Sequence, residues 1–154
     1  MRLSDRLVLF LARGFGAGLV PRAPGTVGSL LGIPLGLALI TSGWSLATQI
    51  AILGLFIVFA CAIAHRAESL LPGHDSGEIV IDEVAGMAVA MLGHGTDPLD
   101  VLSLFLLFRF ADIVKLWPAR TIDRRVPGGL GVVLDDVVAG LYANILARGI
   151  GIAG

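Results

Sequence analysis

The chain has 154 residues, the length of one ordinary folded unit, yet 56% of it is hydrophobic, 21 residues are glycine and only 15% are charged, where soluble domains carry about 25% charge. With a mean hydropathy of +0.90, the composition excludes a disordered chain and points away from a water-soluble globule, because too few polar residues are present to cover a surface. Eleven Lys and Arg against twelve Asp and Glu give a net charge of −1, which offers no positive field to nucleic acid. The single cysteine, Cys61, provides neither an internal disulfide nor a cysteine zinc site, and reads as a packing residue.

In chain order, Arg2 and Arg6 accompany a short apolar run, residues 7–12, which Arg13 and the glycine-rich stretch 14–18 interrupt. The run is too short for a secretory signal and fits a helix lying in the membrane interface. Residues 24–29, Pro-Gly-Thr-Val-Gly-Ser, open the first long apolar segment (27–40), with Thr26 and Ser29 three residues apart at an expected helix N-terminus. Free N–H groups and two hydroxyls there suit an anion such as phosphate, and a plain helix cap uses the same residues. A Walker A loop is excluded, since no Gly-Lys-Ser/Thr follows. Gly28, Gly32 and Gly36 repeat at the small-xxx-small spacing by which helices approach closely in lipid.

The next run, residues 46–64, has only Thr48 and Gln49 as polar interruptions and is long enough for a bilayer core, which takes about 20 residues. Stretches 84–93, 99–108 and 132–147 are shorter or begin beside charges, and read as short or broken spans or as buried helices. The β-branched triplets at 79–81 and 132–134 are weak strand signals. No linker interrupts the chain, so one domain over residues 1–154 is expected. Its fold class is all-α: a compact multi-helix membrane bundle with short or broken helices.

Arg13, Arg22, Arg66 and the cluster from Arg109 to Arg125 flank the apolar segments at alternate ends, whereas connections 41–45 and 94–100 contain no Lys or Arg. The positive-inside rule therefore puts the charged connections, and a polar site among them, on the cytoplasmic side. Eleven of the twelve acidic residues fall between Glu68 and Asp136, several against apolar sequence where a charge needs a partner or a metal. Two segments echo each other: Ile-Val-Ile-Asp82-Glu83 and Val-Val-Leu-Asp135-Asp136, each continuing into small apolar residues. Two such pairs facing one another form an all-oxygen pocket suited to Mg²⁺ or Mn²⁺. The plainer alternative makes Asp82 and Asp135 helix caps.

Arg109, Asp112 and Lys115 repeat every three residues on one helical stripe, and Arg120, Asp123, Arg124 and Arg125 extend the cationic group. Such cations beside a divalent metal suit a phosphate ester, whereas an ordinary solvated helix face uses the same spacing. His74 and Asp75, in a loop before the first carboxylate pair, read as a proton donor, a phosphate ligand or loop residues. His65 and His94 have no comparable company.

Taken together, these stretches resemble the phosphatidylglycerophosphatase A family over nearly the whole chain: 14–18 with 24–29, then 74–87, then Phe108 to Asp112, Lys115, Pro118, Arg120, Asp123, the glycines 128–131 and 135–140. The resemblance implies a Mg²⁺-dependent phosphatase of the bacterial inner (cytoplasmic) membrane, multi-pass, converting phosphatidylglycerophosphate to phosphatidylglycerol and inorganic phosphate. The chain departs from the family's usual Lys-Pro-x-Pro at Lys115-Leu-Trp-Pro118, and carries Pro127 where related sequences have a polar residue. On this reading Asp82, Glu83, Asp135 and Asp136 are catalytic and hold the metal, Arg109, Lys115 and Arg120 bind phosphate, and Asp112 and Asp123 orient those cations. Thr26, Ser29, His74 and Asp75 complete the substrate site, and metal-assisted water attacks phosphorus in line. A phosphoenzyme through an aspartate, Thr26 or His74 is the alternative route. Rival functions are a small membrane transporter or assembly factor with buried carboxylates, or a phosphatase for another phosphomonoester. A homo-oligomer is compatible with any of them.

Overall fold

The computed structural model of the chain describes residues 2–71 and 76–152, the side chains of Asp123 and Arg124 excepted. It is an all-helical compact bundle, as the composition and periodicity required, with seven α-helices and one 3₁₀ segment among the described residues. The β-branched triplets form no strand there: residues 132–134 lie inside a long helix and 79–80 in the loop before another. Neither triplet has a partner strand among the described residues: the helix satisfies the backbone of 132–134, while the Ile79 and Val80 N–H groups donate to the Ser76 and Ala12 carbonyls.

Helix α1 (Leu3–Ala12) begins where the Arg2 backbone N–H donates to Asp5 Oδ2 at 3.3 Å. Asp5 Oδ1 accepts from Arg66 Nη2 at 2.8 Å, a contact that ties α1 to the end of α3 and holds the Asp5 carboxyl below its ordinary pKa. Leu3, Leu7 and Phe10 stay exposed on α1, the apolar face an interfacial helix needs. A 3₁₀ segment (Gly14–Leu19) follows. Its Gly18 has no room for a side chain, since a Cβ there would lie 2.0 Å from the Glu78 carbonyl oxygen.

Helix α2 (Pro24–Thr41) starts with proline in its first turn, where the missing N–H costs nothing, and runs unbroken through Pro34. Helix α3 (Leu46–Glu68) is capped by Ser45, which accepts from the Thr48 N–H at 3.2 Å. Helix α4 (Ile81–Met91) is nearly all buried. Helix α5 (Pro98–Val114) is capped by Asp97 and ends at Lys115, whose φ of 48° is left-handed. Helix α6 (Ala119–Arg125) is short, and α7 (Gly129–Gly149) closes the bundle. The expected boundaries therefore lengthen: 27–40 becomes the whole of α2, and 132–147 becomes α7 with both of its carboxylates inside the helix.

Short α4 is the axis, packed between α2 and α7 and flanked by α3 and α5. The glycine stripe of α2 makes this possible. A Cβ at Gly28, Gly32 or Gly36 would stand 2.7 Å from Val80 Cβ, 2.6 Å from Met87 Cβ or 2.6 Å from Met91 Sδ, so the small-xxx-small spacing packs α2 on α4. On the other side α4 and α7 cross at Gly86 and Gly140, backbone against backbone. Helices α2, α3 and α7 are long and apolar enough to cross a membrane, while α4 and α5, at 11 and 17 residues, are shorter.

The last carbonyls of α4 are satisfied from α7. Asn144 Nδ2 donates to the carbonyls of Val89, Ala90 and Leu92 at 3.3, 3.0 and 2.8 Å, and Arg148 Nη2 donates to those of Leu92 and Gly93 at 3.2 and 3.0 Å. Burial, and secondarily the Arg148 charge, holds the neighbouring His94 imidazole below its ordinary pKa. Removing one partner strands buried acceptors at about 1–3 kcal/mol. Asn144→Ala is accordingly expected to lower the thermal unfolding midpoint in detergent, whereas Ser103→Ala, on an exposed helix face, leaves it in place.

Candidate active site

Four chain segments converge at one end of the bundle. The entry to α4 is fixed from a distance: the Val80 N–H donates to the Ala12 carbonyl at 2.9 Å, and Arg13 Nε donates to Glu78 Oε2 at 2.9 Å. This holds the first turn of α4, with Asp82 and Glu83, against the second turn of α7, which carries Asp135 and Asp136. One carboxylate oxygen from each of Asp82, Glu83 and Asp136 lies within 4.8 Å of the other two. Asp82 Oδ1, Glu83 Oε2 and Asp136 Oδ2 are buried with no hydrogen-bond partner.

Three carboxylates so close repel one another, and each buried oxygen without a donor adds a desolvation cost. An oxygen-only set with vacant lone pairs is what a hard divalent cation takes, so this group is able to bind a metal and its donor chemistry fits Mg²⁺. The helix-cap alternative does not describe it. Asp82 is buried in the first turn without capping, because residue Val80 holds the cap position, and Asp135 lies well inside α7.

Asp135 stands beside this group and meets a cation. Its Oδ2 accepts from Lys115 Nζ at 2.7 Å, and its Oδ1 accepts from the Asp136 N–H at 3.1 Å. The left-handed turn at Lys115 ends α5 and brings the ammonium to α7. Nearly two turns earlier on α5, Arg109 Nη1 donates to Asp112 Oδ2 at 2.6 Å and to Ser29 Oγ at 3.3 Å. The Ser29 hydroxyl in turn donates to the Gly25 carbonyl at 2.8 Å. Asp112 also adjoins Asp136, and Arg109 adjoins Glu83, so the Arg109–Asp112 pair stands beside the carboxylate cluster.

Gly25 completes the contact. A Cβ there would lie 2.2 Å from Glu83 Oε1 and 3.3 Å from Arg109 Nη1, so a side chain at this position would push the ends of both residues away from the start of α2. Thr26 is the next residue, half-buried in the same first turn. Arg120 is exposed on α6, and among the described residues it makes no ion pair with the cluster. Asp123 belongs to α6, with its side chain outside the described set, and His74 and Asp75 lie outside the described residues.

Carboxylates from α4 and α7, with an arginine and a lysine held beside them, thus gather at one end of the helical bundle. The sequence profile of the phosphatidylglycerophosphatase A family matches residues 10–151. The chain belongs to that family. It is accordingly a phosphoric monoester hydrolase.

Among its relatives, the phosphatidylglycerophosphatase A of Escherichia coli strain K12 is 41% identical over 135 residues, covering 86% of this chain and 77% of that protein. The Haemophilus influenzae protein of the same name is 37% identical over 139 residues, covering 88% and 83%. A Bacteroides thetaiotaomicron protein named putative phosphatidylinositol-3-phosphatase is 35% identical over 152 residues, covering 95% and 94%. No solved structure matches the chain.

Two features of this family member escaped the sequence reading. Gly25 carried a signal in the Pro-Gly-Thr opening of α2, but its partner Glu83 is remote in sequence. The Arg13–Glu78 pair, 65 residues apart, had no local signal at all.

Proposed function

We propose that the chain removes the terminal phosphate of phosphatidylglycerophosphate, with Mg²⁺ held by Asp82, Glu83 and Asp136, at the cytoplasmic face of a bacterial inner membrane. One observation carries this reading: three mutually close carboxylates, each with a buried oxygen that has no partner, stand beside fixed cationic side chains at the end of the bundle where Arg13, Arg66 and Arg109 also lie. The names of the Escherichia coli and Haemophilus influenzae relatives supply the lipid. The cytoplasmic orientation is supported by connections 41–45 and 94–100, at the opposite end, which lack Lys and Arg.

Bound at the carboxylates, Mg²⁺ would supply Lewis-acid charge for a phosphoryl group. The chain's own residues do the rest. Arg109, locked by Asp112 and Ser29, presents a guanidinium whose Nε is buried without a protein partner. That N–H is available to a phosphate oxygen, and the fixed geometry avoids ordering a long side chain at each turnover. Lys115 adds a second positive charge, and Asp135 sets its place while joining α5 to α7. A water oxygen bonds to phosphorus in line as the bond from phosphorus to the lipid oxygen breaks; the water gives up a proton and the lipid oxygen takes one up, leaving a lipid alcohol and inorganic phosphate, while the positive side chains offset the charge on the phosphoryl group. Thr26, Arg120, Asp123, His74 and Asp75 are assigned to headgroup binding from the family motif.

The Bacteroides relative's name makes a phosphoinositide the natural competing substrate. The test is phosphate release by the purified chain in detergent from phosphatidylglycerophosphate, phosphatidylinositol 3-phosphate and phosphatidate, each with Mg²⁺ or EDTA. Fastest release from phosphatidylglycerophosphate, lost in EDTA and slowed about 10–100-fold by Asp135→Asn through misplacement of Lys115, is the expected outcome. Faster release from either other lipid moves the substrate assignment, and release indifferent to EDTA removes the metal.

A further inference from the structure

We infer that the cleft between α2 and α5 is the seat of an acyl chain of the lipid substrate. This deepens the reading of the site as a lipid phosphatase and rests on it. The cleft, about 380 Å³, is walled by Leu30, Ile33 and Leu37 of α2 and by Val101, Leu102 and Phe105 of α5. That volume lies within the roughly 300–1,000 Å³ of small-molecule sites.

Helical periodicity joins this cleft to the candidate active site. On α2, Thr26, Leu30, Ile33 and Leu37 succeed one another at spacings of four and three, so they form one stripe. On α5 the stripe Arg109, Phe105, Val101 or Leu102, and Pro98 runs the opposite way. The phosphate-facing Arg109 therefore stands at the head of the apolar cleft, and Thr96 and Pro98 close its foot. Eleven residues separate head from foot on either helix, which at 1.5 Å each is about 16 Å. One leaflet of a hydrocarbon core about 30 Å thick has the same depth. A polar head over an apolar slot one leaflet deep matches an amphiphile with a phosphate at one end.

A second apolar cavity, about 340 Å³, is lined by Leu11, Phe15, Leu35 and Phe59 and reaches Ile81 and Val84 on the first turn of α4. It is the competing seat that the labelling must distinguish. Leu30 and Leu102, half exposed at the rim, accept larger side chains without disturbing the core.

The experiment has two arms on the purified full chain. In the first, phosphatidylglycerophosphate carrying a diazirine on one acyl chain is photolysed with the wild-type protein, and labelled peptides are mapped. Label concentrated on residues 30–37 and 98–105, and displaced by unlabelled lipid, is expected. Label spread evenly over α3 and the Phe15 cavity overturns the assignment. In the second arm, kcat/KM is compared between long-chain and dihexanoyl substrate for wild type, Leu30→Trp and Leu102→Trp. Each buried methylene contributes about 0.8 kcal/mol, so displacing two of them is expected to lower the long-to-short ratio at least about tenfold, or 1.4 kcal/mol. A ratio equal to wild type in both variants overturns the proposal. If the wild type releases no phosphate from this lipid, the substrate reading falls by itself, and the labelling pattern still decides the cleft.

Discussion

Asp136→Asn is expected to release phosphate at least about 100-fold more slowly than wild type, and yet to unfold at a higher temperature when both proteins are held in EDTA. The two effects have one cause. Asp82, Glu83 and Asp136 hold carboxylate oxygens within 4.8 Å of each other, and at an effective dielectric of about 20 each ionised pair at that distance repels by about 3 kcal/mol. No protein donor relieves the buried Asp82 Oδ1, Glu83 Oε2 and Asp136 Oδ2. Without a cation the wild-type fold bears this repulsion, and the amide of asparagine removes one charge at nearly constant volume. With Mg²⁺ the order reverses: a ligand that binds only the folded state raises stability by mass action, so the wild-type midpoint rises with metal while the variant's barely moves. Thermal midpoints of both proteins across a Mg²⁺ titration, alongside phosphate release, check this. A variant less stable than wild type in EDTA would mean that the carboxylate is held by protein contacts and that the site is structural.

How much of this was readable in advance depends on distance along the chain. The carboxylate pairs stood out because a charge within apolar sequence needs a reason, and that argument is local to residues 79–86 and 132–140. Which member of the second pair faces the first was not readable. It depends on where α7 starts, at Gly129, and on Lys115 reaching back to claim Asp135. The glycine stripe on α2 was legible since its period of four matches a helix face, whereas its partner α4 was not. Ser29 was singled out as a hydroxyl at a helix N-terminus. Its actual place, linking the Gly25 carbonyl to an arginine 80 residues away, is a product of packing. Neither weak strand signal became a strand, because a strand needs a partner that no neighbouring described segment offers; residues 132–134 fill a helix surface instead, and 79–80 form the loop into α4. The Asn144 clamp on the end of α4 had no signal, because capping from another helix leaves no local motif.

The second large effect belongs to a residue that touches no charge. A Cβ on Gly140 would lie 2.2 Å from the Gly86 carbonyl oxygen and 3.1 Å from Val89 Cβ. The nearest obstacle is backbone, so no rotamer change relieves it, and α4 and α7 must part. Overpacking of this kind costs about 1–3 kcal/mol, and Gly140→Ala is expected to lower the thermal midpoint accordingly. The catalytic loss should be larger in proportion. Asp82 and Glu83 ride on α4 and Asp136 on α7, one turn from the crossing, so a shift near 1 Å opens the carboxylate cluster, and misplacement on that scale costs about 100-fold in rate. Gly54→Ala on α3 is the matched control: nothing lies within 4 Å of its would-be Cβ, and alanine favours a helix over glycine by about 1 kcal/mol, so midpoint and rate should equal or exceed wild type. The Mg²⁺ titration separates damage to the site from loss of fold. At a temperature where Gly140→Ala remains folded, it should need more Mg²⁺ for half-maximal phosphate release than wild type does. An unchanged Mg²⁺ requirement with a lowered midpoint would place the crossing in stability alone and show that the cluster tolerates movement of its helices.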